Sequence, residues 1–595
     1  MCAFKKIVEF FTLLSIFLSS LLSTSLSFGD DVPVFYKGRF RPMEAYARLW
    51  LSDVYNKQSI KKEDRASFNS PDGSATELLW RLNFSPIEKF QNSPFFWIHY
   101  AEVKQKLGLN LKKDRFSYNQ LIAAINPLFL EGLVAYYYQQ SGKLGKVEIS
   151  QLSPDLWVSK YQVIKVPATG LFSQLKAGHE LQKTFPNKLE LEESLSLLSR
   201  IQQFKQLHDG LILKMLPSKK KEGEWLPINT LGLNQLNPTI YNDDLYHRLQ
   251  EAYQHQNIPL LSQLLLEGYK QIAGTVYQEA NGKALTYPSI GQLRAETLYY
   301  QYPLIEITIL LYGIGILLYL LGFPKCSLIS ISLAFFMHTL ILGLRCYILG
   351  RPPVSNMFET IIYVPWMAVF IGFIFRWIFR SDFIVAVAST AAMTLLLILK
   401  VTDIGSSMEN VQAVLDSQYW LIIHVLMVVG SYGLFVLAGI LGQIYLAMTL
   451  RRGIETESMN KIAQTTLQAM YIGVALLIPG TILGGVWAAE SWGRFWDWDP
   501  KESWAFISSC VYLMFIHAYT FRHIGHFGLA MGAVIGLLTI SFTWYGVNYI
   551  LGTGLHSYGF GSGGEWLYYS FVTIEILFLG FAALRHQRKK INISP

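Results

Sequence analysis

The chain has 595 residues, of which 51% are hydrophobic and 15% charged, with a formal net charge of +8. The charge does not describe a nucleic-acid surface, because Lys and Arg collect in short loops between apolar runs and no basic strip alternates with aromatics. The four cysteines, Cys2, Cys326, Cys346 and Cys510, form no C-x-x-C pair, so neither a thiol–disulfide relay nor a cysteine-based zinc site is supported.

Residues 1–27 carry Lys5 and Lys6, then an apolar stretch, then small residues. That order fits a cleaved signal peptide or an N-terminal membrane anchor, and the early Glu9 with the long apolar stretch favours the anchor. Either form exports the domain behind it. Residues 28–300 are mixed and polar, and are expected to form a mainly helical extracytoplasmic domain. Two stretches, "PMEAYARLWLSDVYNK" and "YNQLIAAINPLFLEGLVAYYYQ", space their apolar residues as amphipathic helices do. "NSPDGSA" and "LPSKKKEGEWLP" read as loops. No paired metal ligands and no nucleophile motif stand out in this half.

From 303 to 585 the chain holds nine apolar runs, at about 303–323, 327–349, 358–379, 382–400, 419–449, 468–488, 503–521, 527–551 and 566–585. Each is near the ~20 residues that span a bilayer core. The fold class is therefore a polytopic α-helical membrane protein, placed in the cytoplasmic (inner) membrane of the cell. With the polar domain outside, alternation puts Lys325, Arg376, Arg380, Arg451, Arg452, Arg522 and the tail 586–595 inside. Charge and alternation agree, as the positive-inside rule requires.

This topology gathers three segments at the outer face. The first is "DSQYWLIIHV", with His424. The second is the loop 487–504, "WAAESWGRFWDWDPKESW". The third is "NYILGTGLHSYGF", with His556. Two imidazoles at one depth with flat aromatic surface between them suit an iron macrocycle, since haem iron takes two axial ligands. Trp492, Trp496 and Trp498 would stack on it. Arg494 and Lys501 would pair its propionates, or else local carboxylates. The bland reading is an interfacial tryptophan belt, but a belt does not crowd Trp487, Trp492, Trp496 and Trp498 into one loop. Asp499, Pro500 and Glu502 fit the N-cap, N1 and N3 positions of a helix, whether or not anything binds there. Deeper in the spans lie His517, read as a metal ligand, and His338, for which a helix–helix hydrogen bond is at least as good an account.

"WAAESWGRFWDWDPKESWAFI" resembles the WWD signature of the haem-handling proteins of cytochrome c maturation. "LRCYILGRPPVSNMFETI", "DSQYWLIIHV" and "VNYILGTGLHSYGF" resemble the other motifs of the CcsA (ResC) branch, the System II cytochrome c synthetases. The resemblance covers roughly residues 330–580. It implies that His424 and His556 are axial ligands of an external haem b and that His517 belongs to an inner haem site. By the same resemblance Trp492, Arg494, Trp496, Trp498 and Asp499 are taken as cofactor-binding. It also implies a CcsB (ResB)-like membrane partner, with the second inner ligand coming from that partner or from His338. The function implied is presentation of haem outside and its thioether attachment to the C-x-x-C-H segment of an apocytochrome c. The chain would act as a synthetase (haem lyase) subunit that supplies no nucleophile. The alternative is a CcmC-like haem transporter or chaperone that ligates nothing. An ion-coupled transporter fits poorly, with no clear inverted repeat and few acids in the spans.

Overall fold

The structure, a computed structural model, describes residues 29–124, 188–402, 408, 417–551 and 565–593, less 69, 71, 72, 221, 234, 235, 279–283 and 453–455. The N-terminal signal or anchor, most of the helix expected over 118–139, and His556 lie outside the described residues. The chain divides into two compact units, Met1–Gln301 and Tyr302–Pro595.

In the polar unit, the hairpin of β1 (Pro33–Tyr36) and β2 (Arg39–Pro42) runs straight into helix α1 (Met43–Tyr55). Tyr46, Ala47, Trp50, Leu51 and Val54 recur at helical spacing and are all buried. Asn56, in the left-handed region at φ 57°, stops the helix. Around α1 pack α2 (Ala75–Phe84), capped by Ser74, and α3 (Lys188–His208). The apolar face continues onto α4 (Asp243–Gln254) and α5 (Ile258–Lys270). The stretch 216–227, expected as a loop, is instead the turn and flanks of a hairpin between β3 (Lys214–Pro217) and β4 (Trp225–Pro227). Its charged KKKEGE centre hid the fact that Leu216 and Trp225 face the interior. The last helix, α6 (Ile290–Gln301), is tied back to the start of the unit. Asp31 accepts from Thr297 Oγ1 at 2.9 Å and from Arg294 Nε at 3.3 Å, and Arg39 pairs with the buried Glu296.

The second unit is a helical bundle. The nine apolar runs appear as α7 (Leu304–Leu320), α8 (Pro324–Leu349), α9 (Met357–Phe379), α10 (Asp382–Val401), α11 (Leu426–Arg452), α12 (Glu457–Trp492), α13 (Pro500–Thr520), α14 (His526–Ser541) and α15 (Glu565–Ile593). Among the described residues seven spans are long and apolar enough to cross a membrane, with α14 counted together with the segment that follows it, as His526–Leu551. The exceptions are α7, with 17 residues, and α13, which carries Lys501, Glu502 and three serines in its first ten positions. Two π-helical segments adjoin the bundle helices: Leu421–Val425 leads into α11, and Phe542–Leu551 extends α14. Helix α11 is the hub, packing on α9, α12 and α14. Gly433 makes the α9 contact possible, because a Cβ there would lie 2.6 Å from the Val364 carbonyl oxygen.

Candidate functional site

His424 sits in the short π-helical segment that opens α11, a conformation that is rare in proteins and concentrated at functional sites. Its ring lies against a bare strip of α12 formed by Gly480 and Gly484. A Cβ at Gly484 would come within 2.5 Å of His424 Cε1. The Gly480 carbonyl accepts a hydrogen bond from His424 Nδ1 at 2.7 Å. A carbonyl has no proton to give, so in the neutral ring the proton sits on Nδ1. That tautomer is the one an imidazole needs to ligate a metal through Nε2, with the carbonyl fixing the ring.

His424 lines a cavity of about 190 Å³. One wall is the α11 face of His424, Val428 and Tyr432. A second is the end of α12, with Gly484, Trp487 and Trp492. The rest comes from Ser355 and Thr360 at the start of α9, Lys501 of α13, and Trp544 and Asn548 of the second π-helical segment. The space is well above the ~10–15 Å³ that admits a single water. Trp487 stacks on Trp420 with ring centroids 6.4 Å apart and meets His424 edge-on at 5.9 Å. Trp420 is held in turn by a 2.8 Å hydrogen bond from its Nε1 to Glu490.

The loop between α12 and α13 is built by two backbone devices. Gly493, at φ 72°, ends α12, and the Asp499 capping box starts α13. Asp499 accepts from the Lys501 backbone N–H at 2.8 Å, while Glu502 accepts from the Asp499 and Asp497 N–H groups. The expected cap, with Pro500 at N1, is therefore present. Arg494 forms an ion pair with Asp497, the local-carboxylate alternative. Lys501 Nζ donates to the carbonyls of Thr543 (2.9 Å) and Trp544 (3.3 Å). Trp492 lines the cavity, but Trp496 and Trp498 do not. They meet each other edge-on at 5.8 Å, and Trp498 is 70% exposed in a left-handed backbone at φ 56°.

The deeper histidines separate. His338 is fully buried and both ring nitrogens are engaged, Nδ1 with the Tyr312 hydroxyl at 3.2 Å and Nε2 with the Ile362 carbonyl at 2.9 Å. This is the helix–helix hydrogen bond that the sequence offered as one account of His338. His517 instead bonds Nδ1 to the Leu513 carbonyl one turn back, at 2.7 Å, stacks on Phe521, and is exposed.

Sequence reading missed Trp420, Trp544, Tyr432 and the glycine strip. The strip did leave a signal: "PGTILGGVW" places Gly480 and Gly484 four apart, on one face of a helix, where small residues admit a neighbour closely. No spacing rule pointed to the π-helical segments.

Residues 354–556 match the family model described as "Cytochrome C assembly protein". The chain is similar to Protein NrfI of Wolinella succinogenes, 32% identical over 306 residues that cover 48% of this chain and 33% of NrfI. It thus spans about a third of that relative's length. It is also similar to the cytochrome c biogenesis protein CcsA of Mesostigma viride, 28% identical over 43% of this chain and 94% of the relative. The CcsA of Amborella trichopoda is 30% identical over 249 residues, covering 35% of this chain and 79% of the relative. Matches of this extent, on a chain with so many apolar helices, settle the assignment: the chain belongs to the CcsA-type cytochrome c biogenesis family, as a multi-pass membrane protein of cytochrome c maturation.

Proposed function

We propose that this protein presents haem b at the outer face of the inner membrane and promotes its covalent attachment to apocytochrome c. The observation that carries the reading is His424: its Nδ1 is held by the Gly480 carbonyl, and its ring lines a cavity walled by Trp487 and Trp492. His556 is the second external ligand in this reading. Trp487 and Trp492 supply flat apolar surface for the macrocycle.

The incoming C-x-x-C-H segment brings the reacting groups. Each thiol adds across one vinyl group, sulfur to one carbon and hydrogen to the other, so the addition needs no oxidant. Its histidine then replaces one external imidazole. The protein contributes position, which turns a two-body encounter into a near-intramolecular one. His517 serves an inner haem site in this scheme. Its Nδ1 is held by the Leu513 carbonyl, and its exposure suits a second ligand from a CcsB-like chain. In this reading residues 28–300 form an extracytoplasmic domain.

The test is to express the chain with an apocytochrome reporter, with and without a CcsB-like protein, and to stain the reporter for covalent haem. Stained reporter with the wild type and none with His424→Ala is the expected result. Haem bound to the membrane protein without any stained reporter would favour the transporter reading instead.

A further inference from the structure

The cavity is not uniform along its length. We infer that it takes a flat amphipathic ligand in one orientation, with the carboxylate-bearing edge at Lys501 and the apolar edge toward Trp487 and Trp492. This rests on the haem reading above and adds to it which edge of the macrocycle faces the loop.

His424, Val428 and Tyr432 line the cavity from one face of α11. Eight residues of helix separate the first from the last, about 12 Å at 1.5 Å per residue. The His424 end is walled by glycine and tryptophan. The Tyr432 end differs. Tyr432 packs on Trp544 with ring centroids 6.1 Å apart. The Trp544 carbonyl accepts from Lys501 Nζ, and its Nε1 donates to Thr360 Oγ1 at 2.9 Å. Lys501 and Thr360 therefore gather round Trp544 at the level of Tyr432.

Directly before Thr360 stands Glu359, a fully buried carboxylate shared by two guanidiniums. Arg345 reaches it at 2.9 Å and Arg351 at 3.3 Å. Ser355, which lines the cavity, donates to the same carboxylate at 2.8 Å. This ion-paired cluster stands behind the cavity wall formed by Ser355 and Thr360.

Lys501 lines the cavity itself. Its ammonium carries three donors, and the two hydrogen bonds above go to neutral carbonyls. Among the described residues it makes no ion pair with a carboxylate within 4.0 Å. The nearby acids are turned to the helix start: Asp499 accepts the Lys501 backbone N–H, and Glu502 accepts two backbone N–H groups of the loop. A partly buried cation is stabilised most by a charged acceptor, and a ligand carboxylate at this end provides one.

The experiment compares two ligands on the purified full-length protein, by titration of the haem absorbance band. One is haem. The other is its dimethyl ester, with the same ring and iron but no carboxylate charge. The wild type should bind haem about tenfold or more tightly than the ester, the scale of a charge-assisted hydrogen bond. Lys501→Met should weaken haem alone and close the gap, with ester binding showing that the variant is folded. Lys501→Arg should keep the preference. Equal affinities in the wild type, or loss of the preference in Lys501→Arg, would overturn the orientation while leaving the haem site in place. Binding of neither ligand by the wild type would overturn both.

Discussion

His338 in α8 and His424 at the head of α11 are imidazoles of the same bundle, and their neighbours use them differently. Around His338 the fold consumes both nitrogens, one on a hydroxyl and one on a carbonyl, in a fully buried contact of three helices. Around His424 the bundle pins one nitrogen with a carbonyl and clears space beside the ring by placing Gly484 there. A membrane histidine is therefore not a ligand by virtue of depth. What differs is that His338 is fully buried against its partners while the His424 ring adjoins an open volume.

The sharpest way to break this contrast is to fill the space beside His424. Gly484→Val puts a branched side chain where even a Cβ would sit 2.5 Å from the ring. We expect haem bound to the purified protein to fall by tenfold or more, on the order of the affinity carried by 1.4 kcal/mol or above, and His424→Ala to do the same with partial rescue by added imidazole. The same insult at His338, as His338→Phe, should leave the haem spectrum unchanged. An unaltered bis-imidazole spectrum in Gly484→Val or His424→Ala would remove His424 from the site.

His517 lies between these extremes, with one nitrogen held by its own helix and the ring exposed. It stands 16 positions beyond Lys501, about 24 Å along α13. One macrocycle does not bridge that distance to the cavity. His517→Ala should therefore lower the amount of haem at the outer site without altering its spectrum. Normal loading combined with failure to form thioethers would instead assign His517 to the attachment chemistry.

Much of this arrangement is legible in the sequence. The nine apolar runs become nine helices because burial in lipid or bundle demands long apolar stretches with internally paired backbones. The Asp499 cap is legible because capping is local, set by four consecutive side chains. Trp487 and Trp492 are rightly placed near His424 by sequence, but Trp496 and Trp498 are not separable from them, since only the turn at Gly493 and the left-handed Trp498 carry the latter pair off the cavity. Trp420 and Trp544 escape notice because each is brought in by a long-range hydrogen bond, to Glu490 and Thr360 respectively. The hairpin at 214–227 is lost for a related reason: its pairing depends on a partner strand across a charged turn, and no single window shows both.

A smaller effect tests the closed side of the contrast. Removing His338 as His338→Leu leaves the Ile362 carbonyl and the Tyr312 hydroxyl without their partner in a fully buried place. The cost should be about 1–3 kcal/mol of stability, the penalty for buried polar groups left unpaired. It should show as a lower melting temperature in detergent with haem content per folded molecule unchanged. A fall in haem content per folded molecule would mean that the two regions are coupled.

The smallest effect concerns Asp499, which belongs to the loop yet acts on the helix. Its carboxylate accepts the Lys501 N–H, and Glu502 reaches back to the Asp499 N–H, so two of the three N–H groups left over at the start of α13, Pro500 having none, are satisfied reciprocally. Asp499→Ala should cost about 1 kcal/mol, while Asn and Ser, which also accept at an N-cap, should be close to neutral. The cap also sets the direction in which α13 leaves the loop, and with it the reach of Lys501 to the Thr543 and Trp544 carbonyls. If capping is the role, haem content should follow stability across the three variants, with Asn and Ser near wild type in both. If Asn and Ser lose haem while melting like the wild type, Asp499 acts on the ligand or on the apocytochrome directly, and the loop carries one more functional carboxylate than its geometry indicates.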